Sequence, residues 1–318
     1  MNEKRKIDVP NYIDLGRTVT LKYLGNLREI GISDRQNTGA TIIPLSKDEF
    51  IVTSTGEVKE VQNHATDRTG NIRNLEKTMR NLSDLINANI DISNYKCCRF
   101  ITLTYRNNER DTEKVYNDFR NFNKRFKRYI LKHGYTYEYI VTLEVQGRGA
   151  FHLHCIYIFN KNSPFIKNED IEKIWGNGFT SIKALTNSPD NIGRYITSYL
   201  SDMMFECENE IPPEALGGKI KNVEISGKDK RIIKGARLKL LPVGTRIYRY
   251  SKGIKKPKTK NITYGEALKE LCSDGYSKVN EYAVEIRDTE RTDFVNRYIK
   301  QTYKKHINNF NKKESDKQ

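Results

Sequence analysis

His152 and His154 stand one residue apart in Gly149-Ala-Phe-His-Leu-His-Cys-Ile-Tyr-Ile-Phe159, a run with strand-like alternation. Side chains at i and i+2 of a strand point to the same face. The two imidazoles can therefore face one metal ion side by side, while Leu153 points the other way into a core. Two imidazoles rarely hold a catalytic divalent ion without a carboxylate. Glu144, near the end of the preceding strand-like run, is the leading third ligand, and Gln146 on the same face is the alternative. Such a set leaves open positions for phosphate oxygens and water. It suits Mn2+ or Mg2+, with zinc as the alternative. The competing reading is two surface histidines on an ordinary strand beside a solvated acid.

Forty-one residues after His154, Tyr195 and Tyr199 lie four apart in a helical pattern and share a helix face. Tyrosines at that spacing are commonly core residues. Here, however, Ile196, Leu200 and Met203 supply an apolar stripe of their own. A phenol with an ordinary pKa near ~10 is a weak nucleophile at neutral pH. It becomes competent when a metal polarises the phosphorus and nearby cations favour the phenolate. Attack on a phosphodiester would leave a 5′-phosphotyrosine bond and a free 3′-hydroxyl. A second tyrosine one turn away could carry a second strand transfer.

The bulk composition agrees with a polyanionic partner. Lys and Arg outnumber Asp and Glu by 56 to 40 over 318 residues, a formal charge of +16. Each phosphate neutralised by such a surface releases counterions. The excess is concentrated: residues 219 to 260 hold fifteen Lys/Arg against Glu224 and Asp229 alone. The five cysteines show neither CxxC spacing nor a pairing pattern, so they read as reduced thiols without a zinc ribbon. The polar start Met1-Asn-Glu-Lys-Arg-Lys6 leads into no apolar segment, and no run is long enough to span a bilayer. A cytoplasmic protein without a membrane partner is expected.

The elements that must position these groups follow from periodicity. Residues 1 to about 66 read as a β-rich arm with strands at 18–24, 40–45 and 50–52. An amphipathic helix covers 71–88, a strand 98–105 and a helix 112–132, with Val115, Phe119, Phe122 and Phe126 in one stripe. Strands at 137–145 and 151–159 flank the turn Gln146-Gly-Arg-Gly149 and make an antiparallel hairpin. A short helix at 170–175 stops at Gly176, and a strand at 178–185 follows. Ser188-Pro189 caps a helix at roughly 190–204. From residue 98 the order β-α-β-β-β-α predicts an α+β fold, an antiparallel sheet with helices on one face. Ile211-Pro-Pro213 marks a boundary before a smaller basic part at 211–310, with helical signals at 264–272 and 288–307. Residues 311–318 read as a disordered tail.

These segments resemble the HUH endonucleases. Within them they are similar to the rolling-circle replication initiators of Gram-positive plasmids and mobile elements, themselves similar to initiators of single-stranded DNA phages. The matching stretches are Phe100-Ile-Thr-Leu-Thr-Tyr105, Glu144 with Phe151-His-Leu-His154, Ile174-Trp-Gly-Asn-Gly-Phe179 and Tyr195-Ile-Thr-Ser-Tyr199. Arg246-Ile-Tyr-Arg-Tyr-Ser-Lys-Gly-Ile-Lys-Lys-Pro257, Thr55-Gly-Glu-Val-Lys-Glu60 and the helix ending in Asn87-Ala-Asn89 extend the likeness over about residues 40 to 260. The resemblance implies a ferredoxin-like nuclease domain at 67–210, a divalent metal on His152 and His154, and nucleophiles at Tyr195 and Tyr199. The family often carries a lysine three residues after each tyrosine, where this chain has Ser198 and Asp202. Phosphate contacts must then come from elsewhere, with Arg194 and Lys183 as candidates.

The expectation is a site- and strand-specific nickase and ligase that initiates rolling-circle replication. Its partners would be single-stranded or hairpin DNA at an origin, a host helicase and a DNA polymerase. Lys252, Lys255 and Lys256, interleaved with Tyr248 and Tyr250, would grip DNA by charge and stacking. An HUH relaxase or transposase shares the chemistry in another setting. A DNA-binding repressor with structural histidines is the non-enzymatic rival. The oligomeric state is left open.

Overall fold

A computed structural model describes residues 2–35, 42–46, 48–61, 72–146, 149–185, 192–201, 203–205, 220–225, 228–233, 241–242, 244–288 and 295–306. The Ser188-Pro189 cap, the Ile211-Pro213 boundary and the 311–318 tail lie outside those residues. Two compact units emerge, one made of residues 65–256 and the other of residues 1–64 with 257–318.

The N-terminal part supplies β1 (Asn2–Ile7), β2 (Thr18–Leu24), β3 (Leu27–Ser33), β4 (Ile42–Pro44), β5 (Glu49–Val52) and β6 (Val58–Glu60). Strands β4, β5 and β6 form a small sheet of their own. The other three join C-terminal strands, as described below.

The 65–256 unit opens with α1 (Ile72–Asn89), β7 (Cys98–Thr104) and α2 (Thr112–Lys132). It continues with β8 (Tyr137–Val145), β9 (Phe151–Phe159), α3 (Asn168–Trp175), β10 (Thr180–Ala184) and α4 (Ile192–Ser201). Strands β11 (Met203–Phe205), β12 (Ile220–Ile225) and β13 (Lys228–Ile233) make a three-stranded sheet, and β14 (Tyr248–Tyr250) closes the unit. The main sheet is antiparallel in the order β10-β7-β9-β8-β14. Helix α2 begins where the Asp111 carboxylate accepts from the amides of Glu113 (2.8 Å) and Lys114 (3.1 Å), satisfying two otherwise orphaned donors. Its stripe of Val115, Phe119, Phe122, Phe126 and Ile130 is buried against Leu143, Leu153, Cys155 and Tyr157. Each such side chain contributes about 1.5–3 kcal/mol of burial.

The α+β class and the antiparallel sheet are as the sequence predicts. The opposite sheet face is covered over part of its length too: Leu82, Leu85 and Ile86 of α1 and Ile192 and Ile196 of α4 pack with Ile140 and Ile156. The tyrosine-bearing helix is shorter than the expected 190–204. It ends at Ser201, and Met203 begins a strand instead of continuing the apolar helical stripe.

Past residue 256 the chain returns to its own beginning. Strand β15 (Lys258–Thr263), α5 (Tyr264–Ser273), β16 (Tyr276–Asp288) and β17 (Val295–Lys305) complete a sheet ordered β1-β16-β17-β3-β2-β15. Residues 211–310, read from the sequence as one accessory region, are thus shared between the units. The helix expected at 288–307 is a strand. Ile299, Gln301 and Tyr303 are buried at period two, because β17 is hydrogen bonded to β16 on one side and β3 on the other. Among the described residues no helix is long and apolar enough to cross a membrane.

Candidate functional site

The strand register sorts the α1/α4 face of the main sheet into rows. His152 pairs with Thr104 on β7 and Glu144 on β8. The next row on the same face joins Ser181, Thr102, His154, Thr142 and Tyr248 across all five strands. The row beyond it joins Lys183, Phe100, Ile156, Ile140 and Tyr250. Polar groups thus occupy one end of the face, and the apolar contacts to α1 and α4 hold the other.

The polar end is buried. Glu144, His152 and His154 are 4%, 8% and 2% exposed. Nε2 of His154 meets Oε2 of Glu144, the carboxylate one row away, and Nδ1 of His154 lies 3.1 Å from the Thr102 hydroxyl. The Phe100 ring stacks on the same imidazole with centroids 5.4 Å apart. Burial pushes the His154 pKa down to about 4, so the ring is neutral at pH 7 and carries the lone pair a metal needs. Gln146, the alternative ligand, sits one residue beyond β8, where its backbone closes the hairpin with Ala150 and Gly149. Gly149 adopts φ +84°, a turn conformation that favours glycine.

Among the described residues no three His, Cys, Asp or Glu side chains already form a metal cage. The donor types nonetheless fit a divalent cation. A neutral imidazole, a second imidazole on the same strand face and a buried carboxylate one row apart make a mixed N/O set. Thr102 is the partner that orients the His154 ring, as metal-binding histidines require of their second nitrogen.

Helix α4 lies on this same face, against α1 and β8. The structure describes the helical backbone of Tyr195 and Tyr199 there. Gly193 explains the closeness of α4 to α1: a Cβ at that position would stand 2.1 Å from the Ser83 carbonyl oxygen. The amide of Gly193 donates to Oδ1 of buried Asn87 at 2.8 Å, and the Thr197 hydroxyl donates to the Gly193 carbonyl. Gly193→Ala separates propensity from packing. Helix propensity alone predicts a gain of about 1 kcal/mol, whereas the contact with the Ser83 backbone forces α4 outward. A lower Tm, with single-turnover nicking slowed by up to ~100-fold, is expected from a shift of about 1 Å. A raised Tm with unchanged rate would overturn this account of the helix position.

The proposed DNA-contacting cations occupy different borders of the unit. Lys183 is exposed on edge strand β10, in the row of Phe100, and Arg194 is exposed on α4. Lys252, Lys255 and Lys256 are exposed in the segment after β14, at the other sheet edge. Asn89 holds that segment: its side chain accepts from the Lys255 amide (2.8 Å) and donates to the Lys255 carbonyl (2.7 Å). Ile254 anchors it in the α1/α4 cluster. Tyr248 and Tyr250 are half-buried against this cluster with their rings 6.3 Å apart, so they are part of the fold and not a solvated linker. Of the basic stretch 219–260, the side chains up to residue 240 lie outside the described residues.

Sequence reasoning missed Thr102, Thr104 and Thr142, which line the histidine rows, and the clamps made by Asn87 and Asn89. The threonines were legible only as strand formers. The Ile174–Phe179 motif has a structural use: the Trp175 indole donates to the Thr104 carbonyl at 3.0 Å. A Cβ on Gly178 would lie 2.4 Å from that oxygen and from the Arg106 amide nitrogen. Gly178→Ala is expected to cost about 1–3 kcal/mol by forcing backbone apart, read as a fall in thermal midpoint. An unchanged midpoint would sink that assignment.

Residues 98–204 match a family model of replication-associated proteins, the ORF2 type. That span holds Glu144, both histidines and both tyrosines, and supports a protein of DNA replication. No curated protein and no solved structure matches the chain.

Proposed function

We propose that the chain is a replication initiator that nicks and rejoins one DNA strand through a tyrosine, with Mn2+ or Mg2+ as cofactor. One observation carries the reading: the helix bearing Tyr195 and Tyr199 packs on the sheet face that carries His152, His154 and Glu144. The match over residues 98–204 supports replication as the setting.

His152, His154 and Glu144 would hold the cation, exchanging the Glu144–His154 contact for bonds to it. When bound, the cation supplies Lewis-acid polarisation of a phosphodiester oxygen. Thr102 keeps the His154 ring in one tautomer and orientation. The Tyr195 or Tyr199 phenolate oxygen attacks phosphorus as the P–O bond to the 3′ oxygen breaks. The products are a 5′-phosphotyrosine and a 3′-hydroxyl able to prime a polymerase. The reverse attack by a 3′-hydroxyl rejoins the strand. Arg194, Lys183, Lys252, Lys255 and Lys256 would hold the flanking phosphates of single-stranded or hairpin origin DNA. A host helicase and polymerase would act on the product, and such work belongs in the cytoplasm.

The test incubates the purified chain with labelled single-stranded oligonucleotides tiled across its own replicon, with and without Mn2+. Denaturing electrophoresis should show a protein–DNA adduct on one strand only, and only with the metal. Sequence-specific binding without an adduct on any oligonucleotide would favour the repressor reading and defeat this one.

A further inference from the structure

We infer that the sheet built from the two chain ends binds single-stranded DNA on its open face. The argument starts from strand parity. Val19 and Leu21 of β2, Ile30 and Ile32 of β3, and Ile299 and Tyr303 of β17 all point to one face, where α5 packs on them through Tyr264, Ala267 and Leu271. The intervening residues face the other way. They include Thr18, Thr20 and Lys22 on β2, Glu29, Gly31 and Ser33 on β3, and Tyr298, Lys300, Thr302 and Lys304 on β17. Lys6 of β1 and Tyr282 of β16 lie on the same side.

Charge is divided between the two faces. The described side chains of the open face include Lys6, Lys22, Lys300 and Lys304, with Arg35 at the rim, against Glu29 alone, which is paired with Lys300 at 2.6 Å. The acids Glu270, Glu281 and Glu285 lie on the α5 side, each engaged there by Lys260, Lys278, or Arg287 with Arg297. A basic face carved from a sheet of mixed charge is complementary to a phosphate backbone.

The open face also holds a trough of about 620 Å³, lined by Thr18, Thr20, Ser33, Asn261, Lys22 and Tyr298 among others. That volume lies in the range of small-molecule clefts. Hydroxyls, an amide and cations suit a nucleotide better than an apolar ligand. Gly31 makes the trough possible: a Cβ there would meet Tyr298 Oη at 2.8 Å and its ring carbons at about 3.4–3.5 Å. The tyrosine ring therefore lies across the bare backbone of β3, flat on the sheet. A broad sheet surface does not enter a DNA major groove as a helix or a two-stranded ribbon does. It can instead receive unstacked bases on aromatic rings between cations. The inference leans on the replication reading only in choosing DNA over RNA.

The experiment uses the full chain without divalent metal. A labelled oligothymidine of about ten nucleotides, within the site sizes of single-strand binders, is titrated by fluorescence anisotropy. A second oligonucleotide carrying photoreactive iododeoxyuridine is cross-linked, and the attached peptides are mapped by mass spectrometry. Cross-links are expected on the β17 peptide at Tyr298, and Tyr298→Leu should remove them and weaken binding about tenfold. Tyr298→Phe, which keeps the ring, should bind within about twofold of wild type. Lys22→Ala with Lys304→Ala should lower the salt slope by about 1.4, at roughly 0.7 per single-strand phosphate contact. Cross-links confined to residues 65–256, or equal losses by Tyr298→Leu on duplex and single strand, would overturn the inference. Adduct formation by the wild-type chain is scored separately. An active nickase without cross-links on β17 defeats this site alone, and a chain that neither nicks nor binds defeats both readings.

Discussion

With His152 and His154 both replaced by alanine, Mn2+-dependent nicking is expected to fall by about three orders of magnitude. Metal polarisation contributes several kcal/mol to a transition state, and about 4 kcal/mol corresponds to ~1000-fold. Binding of a single-stranded oligonucleotide should change little, because the exposed cations lie on β10, α4 and the segment after β14. The double variant also leaves Glu144, 4% exposed, without the imidazole that faces it. A buried carboxylate stripped of its partner is costly, so thermal stability should drop as well. Glu144→Gln separates the two effects. It keeps the volume and a group able to bond His154 while removing a buried charge. Its thermal midpoint should match or exceed wild type while apparent Mn2+ affinity falls at least tenfold. Unchanged Mn2+ dependence in Glu144→Gln would remove the carboxylate from the ligand set. Full activity in the double histidine variant would dispose of the metal site altogether.

The second large effect concerns the nucleophile. Tyr195→Phe with Tyr199→Phe should yield no covalent adduct at any metal concentration, since loss of both phenol oxygens leaves nothing on α4 to form the phosphotyrosine. The single variants should be unequal. The one that supplies the first nucleophile should lose adduct formation on a single-nick substrate. The other should retain it but fail in transfer to a second strand, with Tyr195 the expected first nucleophile. Stability is not expected to follow activity. Ile192 and Ile196 hold α4 in the core and Gly193 sets its approach to α1, and neither contact involves the tyrosine oxygens. A wild-type adduct yield from the double phenylalanine variant would end the tyrosine assignment and direct attention to another nucleophile.

Much of the 65–256 unit was legible because its signals are local. The α2 stripe of Val115, Phe119, Phe122 and Phe126 repeats at helical spacing, and its bounds coincide with the helix found. The strands Tyr137–Val145 and Phe151–Phe159 stand where alternation and the glycine-bearing turn predict them. Glu144 opposite His152 followed from a short hairpin, since little chain separates the two strands and few registers are possible. The 288–307 segment shows where this reasoning stops. Val295–Lys305 alternates as a strand, but its charges and aromatics also scan at helical spacing. Only pairing with β3, more than 260 residues earlier, selects the extended form.

The chain order alone thus specified which chemical groups are present and which of them share a strand face or a helix turn. Histidines at i and i+2, a carboxylate across a tight hairpin and tyrosines at i and i+4 are geometric facts of a few residues. Folding in three dimensions selected everything that links distant segments. It brought α4 to the histidine side through Gly193 and Asn87, seated Lys255 on Asn89, joined β14 to β8 and closed the first strand of the chain onto β16. The reason is physical: a period-two pattern states that a strand has an inner and an outer face, yet is silent about its neighbour. Partner choice depends on loop entropy and on packing summed over the whole sheet.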